Sequence, residues 1–119
     1  IWGGVLFAPI AGVVDSRRSQ DIMNKALSSI VDHRARTLML DIGGVAMVDT
    51  TVANHLIKIA KAAVLMGCKT IISGISPAIA QTITELGIEL GSIQTMSTIE
   101  SALREAVTRA DPRSRTTGA

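Results

Sequence analysis

A carboxylate followed directly by two hydroxyls is the most reactive arrangement in this chain. It occurs in AMVDTTVANHL, residues 46–56, where apolar residues run into Asp49, Thr50 and Thr51 before a helical pattern begins. Asp49 is well suited to an N-cap, its side chain accepting backbone N–H bonds from the first turn. Thr50 and Thr51 would then occupy the first exposed helical positions, beside unpaired N–H groups and the positive end of the helix dipole. A phosphate there would be accommodated electrostatically, although it would face Asp49 and change the surface charge by nearly two units. Helix physics alone leaves two readings open: threonines that merely start a helix, or a phosphoacceptor.

The other reactive residues are weaker signals. Ser73-Gly74-Ile75-Ser76 runs into Pro77 and lacks the G-x-S-x-G pattern of a nucleophile elbow, and the only histidines are His33 and His55. His33 stands among Asp32, Arg34 and Arg36 and reads as an exposed polar residue. His55 lies on the second helix next to Asn54 and near Lys58, which are poor metal partners, so no metal site is expected. Cys68, the sole cysteine, excludes an internal disulfide and reads as a small buried hydrophobe. G-x-G-x-x-G and G-x-x-x-x-G-K-[ST] are both absent, and Gly43-Gly44 reads as a tight turn.

Composition narrows the classes further. A chain of 119 residues suits one domain, and its only aromatics, Trp2 and Phe7, leave a core of Ile, Val, Leu, Ala and Met without a base-stacking platform. The sequence pI near 9.1 has a local origin. Arg109, Arg113 and Arg115 lie in the last eleven positions, and the chain before them carries nine basic and nine acidic residues, so no nucleic-acid partner is expected. No apolar run approaches the ~20 residues needed to cross a bilayer, and the single cysteine fits a cytoplasmic location. The start, without methionine and within what reads as a strand pair, is expected of a piece of a longer protein.

These residues must be carried by an alternating series of elements. Val5–Ile10 reads as a short strand, edge or irregular because of Pro9, with Ile1-Trp2 as the end of a strand before it. Asp15-Ser16 caps a helix with Ile22, Met23, Ala26, Leu27, Ile30 and Val31 on one side. Thr37–Ile42 is a strand, Gly43-Gly44 a break, Val45–Val48 an apolar loop and Val52–Met66 a long helix ended by Gly67. Lys69–Ile72 is the next strand, and Pro77 opens a short helix ending at Gly87. Ser97-Thr98-Ile99-Glu100 has capping-box spacing ahead of a last amphipathic helix, and residues 110–119 are expected to be disordered. The order predicts an α/β domain over residues 1–109, with a mostly parallel central sheet of four to five strands and about four helices. On the second helix Val52, Ile59 and Met66 add a line to the core stripe of Ala53, Leu56, Ile57, Ala60, Ala63 and Val64. With His55 they form a possible interface, serving either another part of the fold or another subunit.

LDIGGVAMVDTTVANHL, residues 40–56, resembles the signature of STAS domains, the anti-sigma-factor antagonist family. LMGCKTIISGISPAIAQTITELGIEL, residues 65–90, is similar to the RsbR-type members of the stressosome, a bacterial stress-sensing assembly. Two positions depart from the pattern: the usual Ser-x-Gly-Leu is Thr50-Thr51-Val52-Ala53, and the first loop Ser is Gly43. The resemblance implies a non-catalytic scaffold without cofactor that sequesters a serine/threonine switch kinase (RsbT-type) and releases it on phosphorylation, controlling a stress response. Thr50 matches the family's phosphorylated position. A second phosphothreonine is implied in the helix after the S-G-I-x-P loop, where Thr82 and Thr84 both qualify and Thr84 points further from the core stripe. The resemblance also implies an N-terminal sensor domain, co-assembly with a smaller STAS partner (RsbS-type) and self-association. The competing expectations are a small-ligand or nucleotide-binding α/β domain, using a crevice near Gly43-Gly44 and Ser73-Gly74, and a purely structural oligomerisation domain.

Overall fold

The computed structural model describes residues 3–97 and Arg104. The elements are β1 (Val5–Gly12), α1 (Ser16–His33), β2 (Thr37–Val45), α2 (Thr50–Leu65), β3 (Lys69–Ser73), α3 (Pro77–Leu86) and β4 (Gln94–Thr95). The four strands pair in the order β1-β2-β3-β4, every pair parallel. When each parallel strand is added to the same side of its predecessor, right-handed crossovers all fall on one face of the sheet. The burial pattern shows this. Ile10, Leu38, Leu40, Ile42 and Ile72 share a core with Ile30 of α1, with Leu56, Ile57, Ile59, Ala60 and Ala63 of α2, and with Ile79 of α3. Alternate strand positions put Val5, Met39 and Ile71 together in a second cluster with Met96.

Each helix begins with a side-chain cap placed by the sequence. Asp15 accepts from the Arg18 amide, Asp49 from the Val52 amide, and Ser76 from the Ile79 amide ahead of a helix with Pro77 in its first turn. Helix α3 ends at Gly87, whose positive φ suits glycine, whereas α1 ends at Arg34, a non-glycine residue in the left-handed region. Helix α2 packs against both α1 and α3.

Three expectations need correction or completion. Gly43-Gly44 is not a break: β2 continues through both glycines to Val45 and stays paired with β1, Ala11 opposite Gly44 and Gly12 opposite Val45. A Cβ on Gly44 would stand 2.9 Å from Ala11 Cβ, so the glycine permits a close strand approach. The irregularity expected from Pro9 is present as a register shift between Pro9 and Ala11. Gln94–Thr95 adds a two-residue strand that no periodicity announced. The preceding strand at Ile1-Trp2, most of the helix expected after Ser97 and the tail 110–119 lie outside the described residues.

Candidate functional site

In a parallel sheet with one-sided crossovers, the N-termini of α1, α2 and α3 all follow the carboxyl ends of their strands and meet at one end of the molecule. At the start of α2 the Asp49 Oδ1 accepts the Val52 amide at 2.9 Å, and the Asp49 carbonyl accepts the Ala53 amide at 2.9 Å. Thr50 is the first helical residue and is exposed. The helix starts at Thr50 although Val52 stands where the resemblance expects glycine, because the Asp49 side chain caps the Val52 amide.

Thr50 and Thr51 are both exposed but have different surroundings. Thr51 lines a niche of about 380 Å³ between the helix starts, together with Val13, Val14, Asp15, Ser16, Met47, Asp49, Val52 and His55. Thr50 is not among the residues lining it. Across the niche Ser16 Oγ and His55 Nε2 lie 3.3 Å apart, tying α1 to α2. The loop from β1 is anchored as well. The Arg18 guanidinium donates from one nitrogen to the Ala11 carbonyl and, at 2.8 Å, to the Val13 carbonyl. The Ala46 amide donates to the Gly12 carbonyl at 2.8 Å. Val13 and Met47, 74% and 73% exposed, flank the niche.

The second pair of threonines lies on α3. The Thr82 hydroxyl donates to the Ala78 carbonyl at 3.0 Å and the Thr84 hydroxyl to the Ala80 carbonyl at 2.8 Å. Thr84 is exposed and Thr82 half-buried beside Ile83, which packs on the core.

The interface line on α2 does not survive as a unit. Ile59 is 0% exposed and belongs to the main core, because α2 is flanked by both other helices and uses its wide apolar band inside the fold. Val52 packs against the same core, His55 is half-buried in the niche, and Met66 is 47% exposed as the C-cap of α2. Asn54, Lys58 and Lys61 form the exposed strip expected of them.

The remaining reactive residues have local partners. His33 is exposed, its Nδ1 3.0 Å from the Ser29 carbonyl. Cys68 is buried, its thiol donates to the Ala35 carbonyl at 3.2 Å, and desolvation pushes its pKa up. The crevice imagined at Gly43 and Gly74 is filled by the chain itself. A Cβ on Gly74 would meet Gly43 Cα at 2.7 Å, and Ser73 Oγ donates to Asp41 Oδ1 at 3.0 Å alongside. Among the described residues no three His, Cys, Asp or Glu side chains form a group that could hold a metal.

Sequence reasoning missed the contributions of Arg18 and of Ser16 to this site. Ser16 and His55 are 39 residues apart, so no local pattern pairs them. The parallel β/α order is the only available signal, since it brings successive helix starts to one end.

Comparison with known proteins agrees with this fold. The family model described as STAS domain matches residues 2–106. RsbT co-antagonist protein RsbRA of Bacillus subtilis (strain 168) is 37% identical over 111 residues, which are 93% of this chain and 40% of that protein. The chain therefore spans about two fifths of the length of that curated relative. Among solved structures, a substituted form of RsbS from Moorella thermoacetica superposes with a TM-score of 0.76 at 27% identity, covering 90% of this chain and 91% of the other. A chain from a structure described as the molecular architecture of the stressosome, a signal integration and transduction hub, gives 0.74 at 25% identity, covering 90% and 93%. No helix among the described residues is long and apolar enough to cross a membrane.

Proposed function

The chain belongs to the STAS domain family, and on that footing we propose that it is a non-catalytic regulatory scaffold domain of a cytoplasmic stressosome. It holds a serine/threonine switch kinase of the RsbT type and loses that hold when phosphorylated on Thr50. The likeness to an RsbT co-antagonist and to RsbS and stressosome chains supports the assembly and the class of partner, including a smaller STAS chain. The observation that carries the site is the position of Thr50, the exposed first residue of α2, outside the niche that Thr51 lines. A phosphate there sits at a helix start, where free amides and the dipole tolerate it, and sets a dianion beside Asp49. At a contact surface that charge acts by repulsion and desolvation, which weakens binding.

The second modification falls on α3, at Thr84 or Thr82. Each hydroxyl donates to a carbonyl one turn back, a bond that esterification removes along with the proton. Incubation with an RsbT-type kinase and ATP, followed by mass spectrometry, tests both sites. Label on the Thr50 peptide is expected, lost in Thr50→Ala and retained in Thr51→Ala. Full labelling of that peptide in Thr50→Ala excludes Thr50 as the acceptor, and separate Thr82→Ala and Thr84→Ala variants decide the second site.

A further inference from the structure

The first turn of α2 is held to the rest of the molecule by few contacts. Thr50 and Thr51 are exposed, Met47 before them is largely exposed, and Ala53 is the first fully buried residue of the helix. Asp49 caps the helix from within, but a cap of this kind does not fix the turn against its neighbours. Besides Val52, which packs against the core, what fixes it is a relay. Arg18 pins the carbonyls of Ala11 and Val13, Gly12 between them accepts from Ala46, and two residues after Val13 the chain enters α1 at Asp15. Ser16, the first residue of α1, then reaches His55. His55 stands five residues after Thr50, about 140° around the helix, so it does not share the outward face of the threonine.

We infer that His55, held by Ser16, is a positioning residue for modification of Thr50: it fixes the first turn of α2 against the start of α1, so that the kinase meets the threonine in an ordered turn. This rests on the reading of Thr50 as the phosphoacceptor. His55 acts through the turn, and without it the kinase must supply the order on binding, which raises KM more than it lowers kcat.

Steady-state labelling by an RsbT-type kinase and ATP tests this. His55→Ala is expected to raise KM by about three- to tenfold, the range of one hydrogen bond, with kcat within about twofold. Ser16→Ala should shift KM equally, and the double variant no further than either single one, because both remove the same contact. His55→Gln keeps a nitrogen near the Nε2 position and should return KM to within about twofold of the parent. Cys68→Ala, which loses a bond far from the niche, should leave KM unchanged and controls for general destabilisation. Hydrogen exchange at the Val52 and Ala53 amides supplies a readout without kinase, expected to quicken by about threefold or more in His55→Ala and Ser16→Ala. Unchanged KM and unchanged exchange in both variants overturn the inference. Label found only on another residue of the parent overturns the Thr50 reading, while exchange still decides the role of His55.

Discussion

Asp49 has two tasks that a pair of substitutions separates. Its Oδ1 completes the first turn of α2, and its negative charge lies beside the proposed phosphate. Asp49→Ala removes both and is expected to cost about 1 kcal/mol in urea unfolding, whereas Asp49→Asn keeps the cap and most of that stability. Cys68 sets a different local rule. Burial raises its folded-state pKa, so the unfolded chain releases the thiol proton first as pH climbs. The domain should therefore keep its full stability below the ordinary thiol value of about 8.5 and lose some above it, and Cys68→Ala should flatten that alkaline decline in thermal melts. Caps of this sort were legible because capping is decided within four residues. The bond between Ser16 and His55 was not, since 39 residues separate its partners and only the fold brings them together.

Helix α2 shows how far a pattern reaches at the scale of an element. Its limits, cap and polar strip follow from spacing, and its unusually broad apolar band predicted extra burial. Spacing does not say what supplies that burial. Residues seven apart drift only about 20° around the helix, so Val52, Ile59 and Met66 share a face, yet the middle is enclosed by α1 and α3 while the far end protrudes. Ile59→Ala should consequently cost about 2–5 kcal/mol in equilibrium unfolding, and Met66→Ala within about 0.5 kcal/mol. Equal losses in the two variants would place Met66 in the core after all. The strands have the opposite problem. Glycines at the end of β2 look like a stop because their chemistry favours turns, and only the close approach of Ala11 explains why the strand runs on. Two residues of β4 are too few to display any period.

For the whole molecule, the mostly parallel α/β class was readable from the alternation of strands and helices, and with it the gathering of helix starts at one end, but the strand order that puts every crossover on one face was not. Self-assembly is tested at this scale by light scattering of the chain alone and mixed with a smaller STAS protein of the RsbS type. Mixed species much heavier than either component are expected, and two components that scatter as independent monomers would rule the assembly out. The common direction of α1, α2 and α3 has a geometric consequence for any such assembly. It gives the domain a front, where Thr50 opens α2, and a back, where Val31 and the 88% exposed Leu65 stand near the helix ends. Domains set back to back turn every front outward, within reach of an enzyme in solution, while domains set front to back conceal all but the last. The heading of the helices thus lets the proposed phosphate on Thr50 serve as a signal only in assemblies that respect it.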